Sequence, residues 1–217
     1  MIKFKHSTEK EIENYFNVMK SINDPGVQPK IYYQVKEIGL DPESRKDVLD
    51  YFKSLASSRE KIIKIRLNEY EQDWRRIEKE FFARTDKFFA TKTTMDNLTA
   101  YLTFTGRCGY NIKNEYFFLN MGRNNSNAGI IHEILHFYTH KLIQPIFVKK
   151  KISYSNFNDF KEALVFVMNI KYKDLLPGHY ESGYEKQKEI FKFLEKNYQS
   201  GDSVYQLVNI YLKKYSK

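Results

Sequence analysis

The stretch Ile130-Ile131-His132-Glu133-Ile134-Leu135-His136-Phe137 decides how this chain is read. Four residues of α-helix turn the backbone by about 400°, so the imidazoles of His132 and His136 stand about 40° apart and about 6 Å along the axis, able to converge on one ion. Zinc accepts such a pair through ring nitrogens at about 2.0–2.1 Å. Glu133 follows the first histidine and projects to the side of the ion rather than onto it, where a carboxylate can take a proton from a metal-activated water. Two histidines in a packed helix can also be plain core. Here, however, Ile130, Ile131, Ile134, Leu135 and Phe137 already supply the apolar surface, and each buried imidazole would need a polar partner. Four of the five histidines lie between residues 132 and 179, a clustering that favours a site.

Working outward, the polar segment Arg123 to Gly129 offers several N-caps for the helix that Ile130 opens as its apolar part. Upstream, Leu98 to Thr105 and Tyr116 to Asn120 are β-prone runs, and the turn between them, Gly106 to Lys113, holds two glycines, which reads as a hairpin. The first ninety residues read as mostly helical. Ile12, Tyr15, Phe16 and Met19 form one stripe over residues 8–21, broken by Asp24-Pro25-Gly26, and Asp41-Pro42 is a start signal for a helix carrying Val48, Phe52 and Leu55. Ile63, Leu67, Tyr70, Trp74, Ile77 and Phe81 alternate steps of four and three, the pattern of a long amphipathic packing helix. Downstream, Asp159 is a possible cap for a helix through about Ile170, Pro177-Gly178 turns the chain, and two further amphipathic helices carry Ile190 to Tyr198 and Val204 to Tyr211.

The helical histidine pair with its glutamate, preceded by Tyr116-Phe117-Phe118-Leu119-Asn120, resembles the zincin metallopeptidases. The resemblance implies an edge strand at 116–120, to which an extended substrate adds as one more strand. A third ligand separates the branches. The metzincin pattern would want glycine at 139 and histidine at 142, where this chain has Thr139 and Leu142. The gluzincin branch takes a glutamate from a second helix a couple of dozen residues downstream, where Glu162 stands. Its surroundings argue for it independently. Phe160, Ala163, Leu164, Val165, Phe166, Val167 and Met168 make that helix apolar nearly all round, and a carboxylate there is costly unless a cation or metal neutralises it. The bland alternative is that Glu162 pairs with a lysine such as Lys161 or points to solvent.

One departure stands out. Thermolysin-like members carry an aspartate four residues after the ligand glutamate to orient a histidine, and here that position is Phe166. Asn169, on the same helical face as Glu162, is a substitute, or a satisfied helix-end asparagine. His140 extends the spacing of the pair but is carried past the ion, which suits a supporting or surface role better than ligation. Asp159 could replace Glu162 as ligand, though capping suits it better, and Cys108 reads as a bystander thiol. The resemblance also implies a downstream donor to the oxyanion, for which His179 and Tyr180 stand in the appropriate part of the chain, with Tyr184 nearly as good.

Composition limits the alternatives. The chain has 217 residues with 41% hydrophobic side chains and a mean hydropathy of -0.63, which excludes disorder and fibrous repeats. No run approaches a membrane span, and the charged start at Met1 to Phe16 does not read as a signal peptide, so the expected location is the cytoplasm, with no membrane partner. One cysteine excludes an internal disulfide and fits a reducing compartment. The net charge of +9 is spread along the chain without interleaved aromatics and glycines, which argues against nucleic acid as partner.

The sequence therefore predicts an α+β, zincin-like fold, mostly helical with a small sheet. A helical region spans 1–90 and a zincin-like metallopeptidase region 91–217, together forming one continuous catalytic unit. The expected activity is zinc-dependent hydrolysis of peptide bonds in peptides or unfolded proteins. His132, His136 and Glu162 would hold one zinc per chain, with Glu133 as general base. The rival is a catalytically inactive module that keeps the fold to bind a partner.

Overall fold

The computed structural model describes residues 1–20, 30–92, 95, 97–106, 109–122, 124–199 and 201–215. The break expected at Asp24-Pro25-Gly26, the thiol of Cys108 and Arg123, the first residue of the polar segment before Ile130, lie outside the described residues. The protein is mostly helical with a small four-stranded mixed sheet, an α+β architecture. Its contacts gather into two units, Met1–Trp74 with Asp96–Ser126, and Arg75–Met95 with Asn127–Lys217. Among the described residues no helix is long and apolar enough to cross a membrane.

The first unit contains β1 (Lys3–Lys5), α1 (Thr8–Met19), α2 (Lys30–Glu37), α3 (Arg45–Ser58), the first half of α4 (Glu60–Phe88), β2 (Thr99–Thr103), β3 (Tyr110–Asn111) and β4 (Tyr116–Asn120). Ser7 caps α1 by accepting from the Lys10 amide. The helix buries Ile12 and Tyr15 with Val35, Val48 and Phe52 in one apolar cluster. α3 starts later than Asp41-Pro42 suggested. Asp41 turns the chain by accepting the Glu43 amide, and Ser44 caps the helix by accepting the amide of Asp47. A buried carboxylate ties α1 to the sheet: Glu11 accepts the Thr103 hydroxyl at 2.7 Å and the Phe104 amide at 2.6 Å.

The sheet corrects two expectations. Its strand order is β1-β2-β4-β3, and β2 and β4 run parallel, with Thr99 opposite Tyr116 and Thr103 opposite Asn120. They are not the two arms of a hairpin. After β2 the chain first forms β3, turns at 112–115 with Glu115 at φ 54°, and returns as β4 between the two; the hairpin is β3 with β4. Tyr116–Asn120 is therefore not an edge strand. β2 pairs along its whole length, and on the other side Tyr116 and Phe117 face β3 while the Phe118 amide donates to Gly109. The reason is in the side chains: Tyr116, Phe117, Phe118 and Leu119 are all buried, and a strand covered on both faces belongs inside a sheet. Strand β1, at the start of the chain, was not foreseen; three residues with one apolar side chain give no periodic signal.

The second unit holds the rest of α4, α5 (Ser126–Tyr138) from its second residue, a π-helical turn (Thr139–Ile143), α6 (Gln144–Lys149) and α7 (Tyr154–Leu164). After a 3-10 turn (Val165–Val167) come α8 (Met168–Lys171), α9 (Lys188–Asn197) and α10 (Val204–Tyr215). Ser153, not Asp159, caps α7, accepting from the Asn156 amide at 3.2 Å. Asp159 lies within the helix and accepts from Gln187. Phe147, Phe157, Phe160 and Tyr211 pack ring to ring around α7. The Tyr138 hydroxyl donates to Asp86 at 2.6 Å, tying the end of α5 to α4. These contacts fix α5 and α7, the two helices that carry the expected ligands.

Candidate metal centre

Helix α5 is apolar nearly all round. Ile130, Ile131, Ile134, Leu135 and Phe137 are buried, so its polar side chains are confined to one narrow face. That face carries His132 and His136, whose ring centroids are 4.6 Å apart. The regular α-helix ends two residues after His136 and gives way to the π-helical turn. Such turns add a residue to one helical cycle and recur near functional sites. His140, within it, is buried and shares a 2.9 Å hydrogen bond with Gln144, its ring edge-on to Phe157. That is a supporting position.

From α7, Glu162 meets the pair. The donor atoms of His132, His136 and Glu162 all lie within 4.8 Å of one another, and His136 Nε2 is 3.4 Å from Glu162 Oε2. Two ligands at 2.0–2.1 Å from a tetrahedral ion stand about 3.4 Å apart, so this pair already has the spacing of two corners of a zinc site. Glu162 Oε2 is buried without a hydrogen-bond partner among the described residues. Two imidazoles and a carboxylate are a zinc-type donor set, so the residues fit such an ion.

Lys161 departs from a bare ligand set. Its side chain is 1% exposed and its Nζ contacts Glu162 Oε1. The alternative pairing of Glu162 with a lysine and its meeting with His136 are thus both present, one on each carboxylate oxygen.

The charges follow from these contacts. Burial pushes the His136 imidazolium down to about 3, helped by the Lys161 ammonium, so His136 is neutral near neutral pH. Burial acts against the Glu162 carboxylate, but His136 and Lys161 outweigh it and hold the group well below the usual carboxylate range. His132 goes the other way: burial alone would lower it, but Glu181 and Glu133 raise it above the ordinary histidine value. Glu133 is itself buried, and its charge acts on His132 from the adjacent helical position.

Sequence reasoning missed Glu181. Its Oε2 lies 3.5 Å from His132 Nδ1, an outer partner on one of the two ring nitrogens. Asn169 provides the mounting. Its amide donates to the Glu181 carbonyl and accepts the Glu181 amide, both at 2.8 Å, a two-bond clasp of the kind one strand offers another. The Gly183 amide donates to Glu181 Oε1 at 3.1 Å. Gly183 itself has φ 68°, and a Cβ there would come within 2.8 Å of the Phe191 ring, so the loop closes only with glycine. Asn169 thus serves the histidine indirectly, by holding the carboxylate that faces it. The readable signal was a polar residue on the Glu162 face of an apolar helix; that its partner would be Glu181 is a long-range fact.

The expected oxyanion donors are placed differently from one another. His179 Nε2 lies 3.8 Å from Glu181 Oε2, beside the supporting carboxylate. Tyr180 is 66% exposed. Tyr184 stands with its ring edge-on to His132, centroids 6.4 Å apart. No family model, curated protein or solved structure matches the chain.

Proposed function

We propose that the chain is a zinc-dependent metallopeptidase, a small gluzincin-like zincin that hydrolyses peptide bonds in peptides or unfolded proteins. The observation that carries the reading is the convergence of His132, His136 and Glu162 within 4.8 Å, with Glu133 buried at the next position on the same helix. Zinc bound by these three residues would supply Lewis acidity, acidifying a water and polarising the scissile carbonyl. Glu133 takes the proton of the attacking water and returns it to the leaving amine. Neutral His136 keeps a nitrogen lone pair for ligation, and Glu181 faces Nδ1 of His132, which assigns Nε2 to the ion in this reading. Tyr184, whose ring meets His132, is the side chain we assign to the oxyanion. His179 and Tyr180 are the other donors in the same loop. The buried strand 116–120 has no part in substrate binding in this reading.

The test is cleavage itself. Zinc-loaded protein incubated with a panel of unfolded proteins should generate new N-termini, a chelator should stop the reaction and added zinc should restore it. A protein carrying stoichiometric zinc that cuts nothing in the panel would favour the inactive binding module instead.

The supporting carboxylate gives a separate expectation. Glu181→Gln should weaken zinc binding by about 10- to 100-fold, the usual cost of losing an outer partner of a ligating histidine. Asn169→Ala should do the same more weakly, since it frees the backbone that carries Glu181. Zinc titration against a chelating dye measures both; unchanged affinity in Glu181→Gln would show that this carboxylate does not orient His132.

A further inference from the structure

The Glu162 carboxylate is shared. One oxygen faces His136, and the other is held by an ammonium whose side chain is 1% exposed. Neighbouring residues on a helix project about 100° apart, and the long Lys161 side chain bridges that angle to reach Glu162. An ammonium withdrawn from water this far is costly unless a carboxylate answers it, and so is the carboxylate. Each group therefore lowers the other's penalty. We propose that Lys161 is a built-in counter-cation for the metal centre. It holds the Glu162 carboxylate in place in the metal-free protein, and it reserves a single carboxylate oxygen for the ion, at the cost of weakening the ion's hold by like-charge repulsion. The inference rests on the reading of Glu162 as a metal ligand, and it makes zinc at this centre exchangeable rather than a condition of folding. A pocket that relied on zinc for its charge balance would instead unfold on stripping, as structural zinc sites do.

Lys161→Met keeps the stem length and removes the charge. In metal-free protein it should lower the melting temperature by about 10 °C, the scale for stranding one member of a buried pair. Lys161→Met with Glu162→Gln should recover most of that loss, because neither charge is then left alone. Zinc titration should move oppositely in the two single variants: Lys161→Met binds about tenfold more tightly, its repulsion gone, whereas Glu162→Gln binds more weakly. If Lys161→Met does not fold without metal, the double variant still decides, since its recovery supports the pairing and its failure refutes it. Metal-free Lys161→Met as stable as the parent, or zinc affinity falling in Lys161→Met as it does in Glu162→Gln, would overturn the proposal. Failure of the parent protein to bind zinc would instead remove the metal reading, while the metal-free melting data still report on the pair.

Discussion

Glu133→Gln is expected to retain the fold and bind zinc as the parent does, yet lose peptide hydrolysis by about two to four orders of magnitude. The amide has the shape of the carboxylate and cannot accept a proton. Position 133 follows the first ligand, so its side chain lies beside the histidine pair rather than between the two rings, and the change should leave the ligands untouched. Glu133 is also buried, so no solvent-exposed base stands at that position to replace it. The measurement is the rate of new N-terminus formation per zinc-loaded chain, with melting temperature and zinc content as controls. Equal rates in the two proteins would remove Glu133 from the chemistry and, with it, the peptidase reading of this helix.

The second large effect is expected at His136. It is the most buried of the three proposed ligands, 3% exposed, and its imidazolium is pushed down to about 3, so no proton competes with a metal for its nitrogen near neutral pH. His132 is different, because Glu181 favours its protonated form and a proton competes with the ion there. His136→Ala should therefore weaken zinc binding by on the order of a hundredfold or more and abolish cleavage, while circular dichroism shows the helices intact. Both losses should appear together. A variant that keeps stoichiometric zinc at micromolar concentrations would mean that the ion is held elsewhere.

What the sequence made legible was local. The pairing of His132 with His136 follows from the pitch of one helix, and the long α4 follows from one regular apolar stripe. Glu162 was readable because a lone carboxylate in an apolar helix needs an explanation, and the structure supplies two partners for it, a histidine and a lysine. What stayed hidden depends on distant pairing. Asn169 and Glu181 meet through backbone hydrogen bonds across a loop closed by Gly183, and nothing in the local pattern at 181 announces it. Two β-prone runs with a turn between them suggest the nearest pairing, which would make β4 the hairpin partner of β2 and a sheet edge. Its unbroken run Tyr116-Phe117-Phe118-Leu119 carried the contrary signal, since burial of both faces marks an interior strand. The helix starts at Ser44 and Ser153 show the same competition at smaller scale: Asp41 and Asp159 have the right chemistry for a cap, but the serines stand where the helical backbone begins.

The most direct measurement of the central claim is anomalous diffraction at the zinc absorption edge from crystals grown with zinc. The account predicts one strong peak per chain, within about 2.0–2.2 Å of His132 Nε2, His136 Nε2 and Glu162 Oε2. No peak at these three residues, or a peak held by other side chains, would contradict it.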